Sequence, residues 1–158
     1  MLTFSLGAER FGLDALAVQE IVRAVAIAAL PEAPPIVEGV INVRGRIMPV
    51  LDIRRRFGLP PVALHPDQHL IVARAGARPV ALRVDRAVDL MEVDPRAIES
   101  PGAAPGAKYL AGIVRLPDGL LVIHDLENFL SPEEGRETDV ALTRGVDGGG
   151  PPRRGKRG

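Results

Sequence analysis

The sequence contains no cysteine and no tryptophan, and only 3% of its 158 residues are aromatic. The missing cysteines exclude disulfides, thiolate nucleophiles and zinc sites built on thiolates. Four phenylalanines and one tyrosine leave few platforms on which single-stranded nucleic acid could stack. The formal net charge is zero. Five basic side chains, Arg144, Arg153, Arg154, Lys156 and Arg157, oppose Asp147 in the last fifteen residues, so the body before them is slightly acidic. An acidic body is a poor partner for DNA, and no nucleic-acid binding is expected. The longest unbroken apolar run, Ala24 to Leu30, is too short to span a bilayer, so no direct membrane insertion is expected. Met1-Leu2-Thr3-Phe4 has neither the basic nor the apolar stretch of a secretory leader, which points to the cytoplasm.

What is present is a repeat. Gly39 to Asp52 reads as two apolar runs around Arg44-Gly45, with Gly45 suited to a positive-φ turn and Asp52 placed to cap a short helix over 53–57. The pattern returns as Gly112 to Asp125 at a constant offset of 73 residues. Val40, Ile41, Val43, Ile47, Met48 and Val50 all meet apolar counterparts there, and Ile53 and Phe57 match Leu126 and Leu130. A repeat of this kind outranks any single motif, and the chain reads as a duplicated unit.

Along the chain, Leu2 to Leu6 and Phe11 to Leu13 read as an opening hairpin, echoed by Leu70 to Ala73 and Val80 to Val84. Apolar residues at 15, 18 and 22 predict a short helix over 15–22, with a strand from Val22 to Ile27. Prolines make 30–35 a stiff linker and 58–66 a loop. Val88 to Val93 reads as a strand, and Asp94-Pro95 opens a short helix. A Pro/Gly/Ala loop follows over 101–107. Ser131-Pro132-Glu133-Glu134 is a capping box for a last helix reaching about Leu142. The fold class is therefore all-β with short helices: two small barrels over 1–143, with approximate halves 1–66 and 67–143, then a disordered basic tail over 144–158. Barrels this small are marginal alone, so an apolar and permanent interface between them is expected.

Few residues offer chemistry. His65 and His69 are four apart, but Pro66 between them and a loop context argue against a metal pair. His124 beside Asp125 reads as a surface or hydrogen-bonded histidine at a strand end. Ser5, Ser100 and Ser131 lack a nucleophile-elbow context, and the glycines stand singly at turns, so no phosphate loop forms. Asp52 and Asp125 are equivalent in the repeat and read as caps. The expectation is no enzyme, no metal and no cofactor. Asn42 and Arg44 remain as polar residues inside apolar strands, and Arg44 offers a planar fork of donors for carboxylates or carbonyls.

The stretch Gly-Val-Ile-Asn-Val-Arg-Gly-Arg-Ile-Met-Pro-Val-Leu-Asp at 39–52 resembles the signature of the CheW-like chemotaxis coupling proteins. Val18-Gln19-Glu20-Ile21, the linker at 30–35, Val84-Asp85, Tyr109 to Gly112 and Phe129 to Glu134 resemble the same family in order and spacing, over about Leu2 to Leu142. The resemblance implies two interlocked, OB-like five-stranded barrels, with strands that cross between halves. It implies a non-catalytic adaptor between the cytoplasmic tip of a chemoreceptor and the regulatory domain of the histidine kinase CheA. It implies a receptor-facing groove containing Val18, Glu20, Gly39, Asn42 and Arg44, and kinase contacts at the barrel ends, without individual residues. Two alternatives share the fold: a stand-alone regulator that binds the kinase without receptors, and an adaptor of a surface-motility or developmental pathway. Val43 stands where the family has leucine, His124 where it has an aliphatic residue, and the run Arg54-Arg55-Arg56 is unusual.

Overall fold

A computed structural model of the chain describes residues 1–103 and 106–147. The first half supplies β1 (Leu2–Leu6), β2 (Glu9–Leu13), β3 (Val18–Arg23), β4 (Val37–Val43), β5 (Arg46–Leu51) and the one-turn helix α1 (Ile53–Arg56). The second supplies β6 (His69–Ala75), β7 (Arg78–Val84), β8 (Arg86–Leu90), β9 (Ile98–Glu99), β10 (Leu110–Leu116), β11 (Gly119–His124) and α2 (Pro132–Asp147).

The halves exchange their opening hairpins. One sheet runs β8-β1-β2-β11-β10-β9 and the other β3-β6-β7-β5-β4. The β1–β2 hairpin thus lies beside strands of the second half, and β6–β7 beside strands of the first. The joins are parallel: β2 on β11, and β7 on β5. Each sheet then closes on itself through the chain that leaves its edge strand. Beyond β3, Ala28 makes a reciprocal bridge with Val40 of β4. Beyond β8, β9 pairs with β10. This is the interlocked pair of barrels, except that the second closure is long enough to count as a sixth strand.

Both closures run over a glycine, and the repeat makes them equivalent. A Cβ on Gly39 would lie 2.2 Å from the Ala28 carbonyl oxygen, and one on Gly112 would lie 2.3 Å from Ile98 Cγ2. No side chain fits there, because the closing segment must pass directly against the strand.

Strand alternation divides the apolar residues among three cores. On β6 and β7, Leu70, Val72 and Ala81 point into one barrel and join Ile41, Met48 and Val50. Their neighbours Ile71, Ala73, Val80, Leu82 and Val84 point the other way and meet Leu2, Phe4, Leu6, Phe11 and Leu13. The other barrel holds Val114, Leu121 and Ile123. The largest core is therefore the layer between the barrels, as expected for units too small to stand alone. All four phenylalanines and the tyrosine gather there, as Phe4, Phe11, Phe57, Phe129 and Tyr109 around His124. The scarce aromatics are spent on one joint.

Several local expectations change. Residues 15–22 are not helical: Asp14 caps a single 3-10 turn over Ala15–Ala17, and β3 begins at Val18. Exposure alternates along β3, and its backbone groups pair with β6, so neighbouring strands override a weak helical spacing. For the same reason no strand spans Val22 to Ile27, since β3 ends at Arg23. The strand expected from Val88 to Val93 instead covers Arg86–Leu90, because pairing with β1 starts directly after β7. Asp94 does cap a short turn with Pro95 at its first position. Ser131 and Glu134 close the capping box reciprocally, at 3.0 and 2.9 Å. Helix α2 then runs to Asp147, past Leu142, with Arg144 ion-paired to Glu32. Residues 144–147 are therefore not a disordered tail, and the basic residues after them lie outside the described residues.

Candidate functional site

The first hairpin's turn is built by its own polar residues. Arg44 and Gly45 both take positive φ, 52° and 84°, the geometry of the tight turn that matches strand twist. Asn42 Oδ1 accepts the Gly45 N–H at 2.8 Å and holds the turn closed. A non-glycine residue in the left-handed region is uncommon, so Arg44 is retained at a place where glycine would be easier. Its side chain is 77% exposed and reaches β3, where Nη1 donates to both carboxylate oxygens of Glu20 at 2.5 and 2.7 Å. Glu20 is 25% exposed. Among the described residues, Glu20 engages only Nη1, which leaves the Nη2 and Nε donors of Arg44 toward solvent.

The five residues given to a receptor groove thus separate. Glu20, Asn42 and Arg44 come together at one end of a barrel. Val18 is half-buried against the inter-barrel core, and Gly39 is buried under the Ala28 closure.

Sequence reasoning missed a polar network on the inter-barrel joint. Arg54, 7% exposed, donates from Nη2 to Asp85 Oδ2 at 2.7 Å, and the Gly7 N–H donates to the same oxygen at 2.5 Å. Buried Gln68 donates to Asp85 Oδ1, and its own Oε1 accepts from buried Arg83, which grips Glu38 with three hydrogen bonds. Burial pushes the Asp85 carboxyl up, but Arg54, the Gly7 N–H and Gln68 outweigh it and hold it below the usual aspartate value. The only hint in the sequence was the run of three arginines after Asp52, and its members have separate tasks. Arg54 enters this network. Arg56 lies over the Tyr109 ring at 4.3 Å and pairs with Glu134 of α2 at 2.6 Å. Burial likewise pushes Glu134 up, and Arg56 with the Ser131 N–H brings it below its ordinary value.

The three histidines sit in different surroundings. His124 is buried, 4% exposed, and neither ring nitrogen has a hydrogen-bond partner. This corrects the surface or hydrogen-bonded reading. Burial lowers its pKa from 6.5 to about 3, so the imidazole is neutral. The repeat carried the signal, for the residue 73 positions earlier is Leu51, which is fully buried in the same core. Asp125 is also corrected: it makes no backbone cap, because the Asn128 side-chain amide takes its carboxylate at 2.7 Å, whereas Asp52 does accept the Arg55 N–H. His69 Nδ1 accepts the Ala87 N–H, and His65 Nδ1 accepts the Asp67 N–H. No group of three or more candidate metal ligands comes together among the described residues. No helix among the described residues is long and apolar enough to cross a membrane.

Comparison with known proteins decides the family. The CheW-like domain model matches residues 1–134. The chain belongs to the CheW-like domain family. Among its relatives, the chemotaxis protein CheW of Klebsiella aerogenes is 34% identical over 136 residues, covering 84% of this chain and 82% of that protein. The chemotaxis protein CheW of Treponema pallidum is 30% identical over 141 residues, covering 85% and 83%. The crystal structure of the scaffolding protein TtCheW from Thermoanaerobacter tengcongensis superposes with a TM-score of 0.77 at 31% identity, covering 84% of this chain and 88% of that one. The double barrel of this CheW-like chain is the fold of that scaffolding protein, and the two relatives above are named chemotaxis proteins.

Proposed function

We propose that this CheW-like chain is a non-catalytic cytoplasmic adaptor that joins the tip of a chemoreceptor to the regulatory domain of the histidine kinase CheA. Its relatives named chemotaxis protein CheW, and the neighbour titled a scaffolding protein, support the adaptor role. Arg54, Arg56 and Arg83, each little exposed, are engaged in internal ion pairs, which suits a scaffold better than a reaction centre. The observation that carries the receptor side is the exposed turn of Arg44. Glu20 pre-orients a guanidinium whose remaining donors fit carboxylates or free carbonyls at the end of a receptor helix. In this reading Asn42 keeps the turn in shape, Gly39 and Val18 fix the two strands beneath it, and kinase contacts lie elsewhere on the barrels.

The test measures unfolding, binding to a receptor cytoplasmic fragment and binding to the kinase regulatory domain on Arg44→Ala and Glu20→Gln. The pair is exposed, so stability is expected to change by under about 0.5 kcal/mol. Receptor binding is expected to weaken by about 2 kcal/mol for Arg44→Ala, with kinase binding unchanged. Receptor binding that survives Arg44→Ala would remove the turn from the interface. A wild-type chain that binds kinase and no receptor would instead be a stand-alone regulator. Binding to the receptor and kinase of a surface-motility or developmental array, in preference to a flagellar one, would assign the other alternative.

A further inference from the structure

The second barrel has the smallest of the three cores. Val114, Leu121 and Ile123 are its buried members, and partly buried Met1, Met91, Val93, Ile98 and Leu116 complete the packing. The first barrel instead encloses its methionine, Met48, among Ile41, Val50, Leu70, Val72 and Ala81 and leaves it 1% exposed. Two of the three methionines in the chain therefore belong to the thinner barrel, and both are only half-buried.

Met1 and Met91 meet at the seam of that barrel. The Met91 N–H donates to the Met1 carbonyl at 2.8 Å, which carries the β1–β8 pairing one step further. The Met1 thioether lies over Gly12, where a Cβ would stand 3.0 Å from Sδ, so glycine makes room for it on β2. Both methionines line a cavity of about 490 Å³, together with Val93, Ile98 and the exposed Glu92 and Asp94. Ile98 is the residue that closes the barrel over Gly112. The two thioethers thus support the closing segment from a cavity with acidic, exposed residues in its wall. With no cysteine in the chain, thioethers are its readiest targets for two-electron oxidation.

We propose that Met1 and Met91 are a peroxide-sensitive modification site that controls the closure of the second barrel. The sulfur lone pair attacks one oxygen of hydrogen peroxide and the O–O bond breaks. The departing hydroxide takes the proton of the sulfur-bound hydroxyl and leaves as water, so the thioether becomes a sulfoxide and the peroxide is reduced. The new oxygen is a strong acceptor set among the apolar side chains of Val93, Ile98 and Leu121, and it is hydrated only when the closing segment moves off β10. A dithiol-dependent sulfoxide reductase reverses the step, releasing the oxygen as water and keeping a disulfide on the reductase. The Arg44 turn belongs to the first barrel, so this site and the receptor reading stand or fall separately.

The test treats the full chain with hydrogen peroxide, follows each methionine by peptide mass spectrometry and follows the amides by hydrogen exchange. Met1 and Met91 are expected to gain an oxygen about tenfold faster than Met48, which is sealed in its core. Exchange at the amides of β9 and β10 is expected to speed by about tenfold, with β4 and β5 of the first barrel unchanged. Methionine sulfoxide reductases with dithiothreitol should restore the slow exchange. Met91→Leu, close in volume, should reduce the response to peroxide, and Met91→Gln should speed exchange at β9 without any peroxide. Oxidation of Met48 at the same rate, sulfoxides at Met1 and Met91 that leave β9 unchanged, or a Met91→Gln chain that exchanges like the wild type would overturn the site. Loosening of both barrels alike would mean general unfolding and overturn it too. Exchange that stays fast after the sulfoxides are reduced would overturn the reversible device.

Discussion

Replacing His124 by leucine should stabilise the protein and flatten its response to acid. At neutral pH the wild type buries an imidazole with two unpartnered nitrogens among four phenylalanine rings, whereas the equivalent position holds Leu51. An unsatisfied buried polar group costs about 1–3 kcal/mol. Against this, the substitution gives up ring-on-ring contact worth about 0.5–1.5 kcal/mol, so the net gain at pH 7.5 is about 1 kcal/mol. The pH term is larger. In the unfolded chain His124 takes up a proton near its ordinary value of 6.5, but in the folded chain burial delays this to about pH 3. The unfolded state therefore binds more protons between those limits, and stability present above 6.5 is lost progressively as pH falls toward 3. At pH 5.0 the wild type should have lost about 2 kcal/mol to this one group, and the leucine variant none of it. The depressed carboxyls of Asp85 and Glu134 add losses of the same sign at lower pH, but they are common to both proteins and cancel in the difference. Urea unfolding followed by far-ultraviolet circular dichroism at pH 7.5, 6.0 and 5.0 measures it. A wild-type to variant difference that stays constant across that range would refute a buried neutral imidazole. A variant less stable than wild type at pH 7.5 would show that the ring has a favourable partner after all.

Alanine at Gly39 or Gly112 should cost about 3 kcal/mol or more by urea unfolding, since its Cβ meets the closing segment of a barrel, and a neutral result would mean the barrels are open at that seam. Asp85→Ala should cost about 2–3 kcal/mol, because it strands the buried Arg54 guanidinium, and the double variant with Arg54→Met should recover part of that loss. A double variant no better than the single would place the cost in the Gly7 and Gln68 contacts instead. Ser131→Ala removes the acceptor for the Glu134 N–H and should lower stability by about 1 kcal/mol, read as a shift in the thermal midpoint.

Much of the architecture was written locally. The 73-residue offset announced two copies, and β4–β5 and β10–β11 follow it because alternating apolar residues around a glycine-bearing turn have one sensible pairing. The Ser131 box and the Asp94-Pro95 start also hold, since a cap is satisfied within a few residues of itself. The turn at Arg44-Gly45 was legible too, since a polar pair interrupts two apolar runs there.

Other features depend on residues far apart in the chain. That each hairpin joins the opposite half is decided by parallel pairing of β2 with β11 and β5 with β7, which no local pattern encodes. Residues 15–22 show the same dependence, since their helical spacing yields to a strand only when β6 offers its edge. The left-handed backbone of Arg44 and its bond to Glu20 arise from a closed barrel that brings residues 24 apart to one end. The burial of Arg54 and His124 arises from the joint, where one copy of the repeat places an arginine on Asp85 and the other packs a histidine among four phenylalanine rings. Local sequence chose the strands and turns, because their hydrogen bonds and alternation are short-ranged. Only the packing of two half-barrels decided which polar side chains lie inside, because burial is a property of what arrives from elsewhere in the chain.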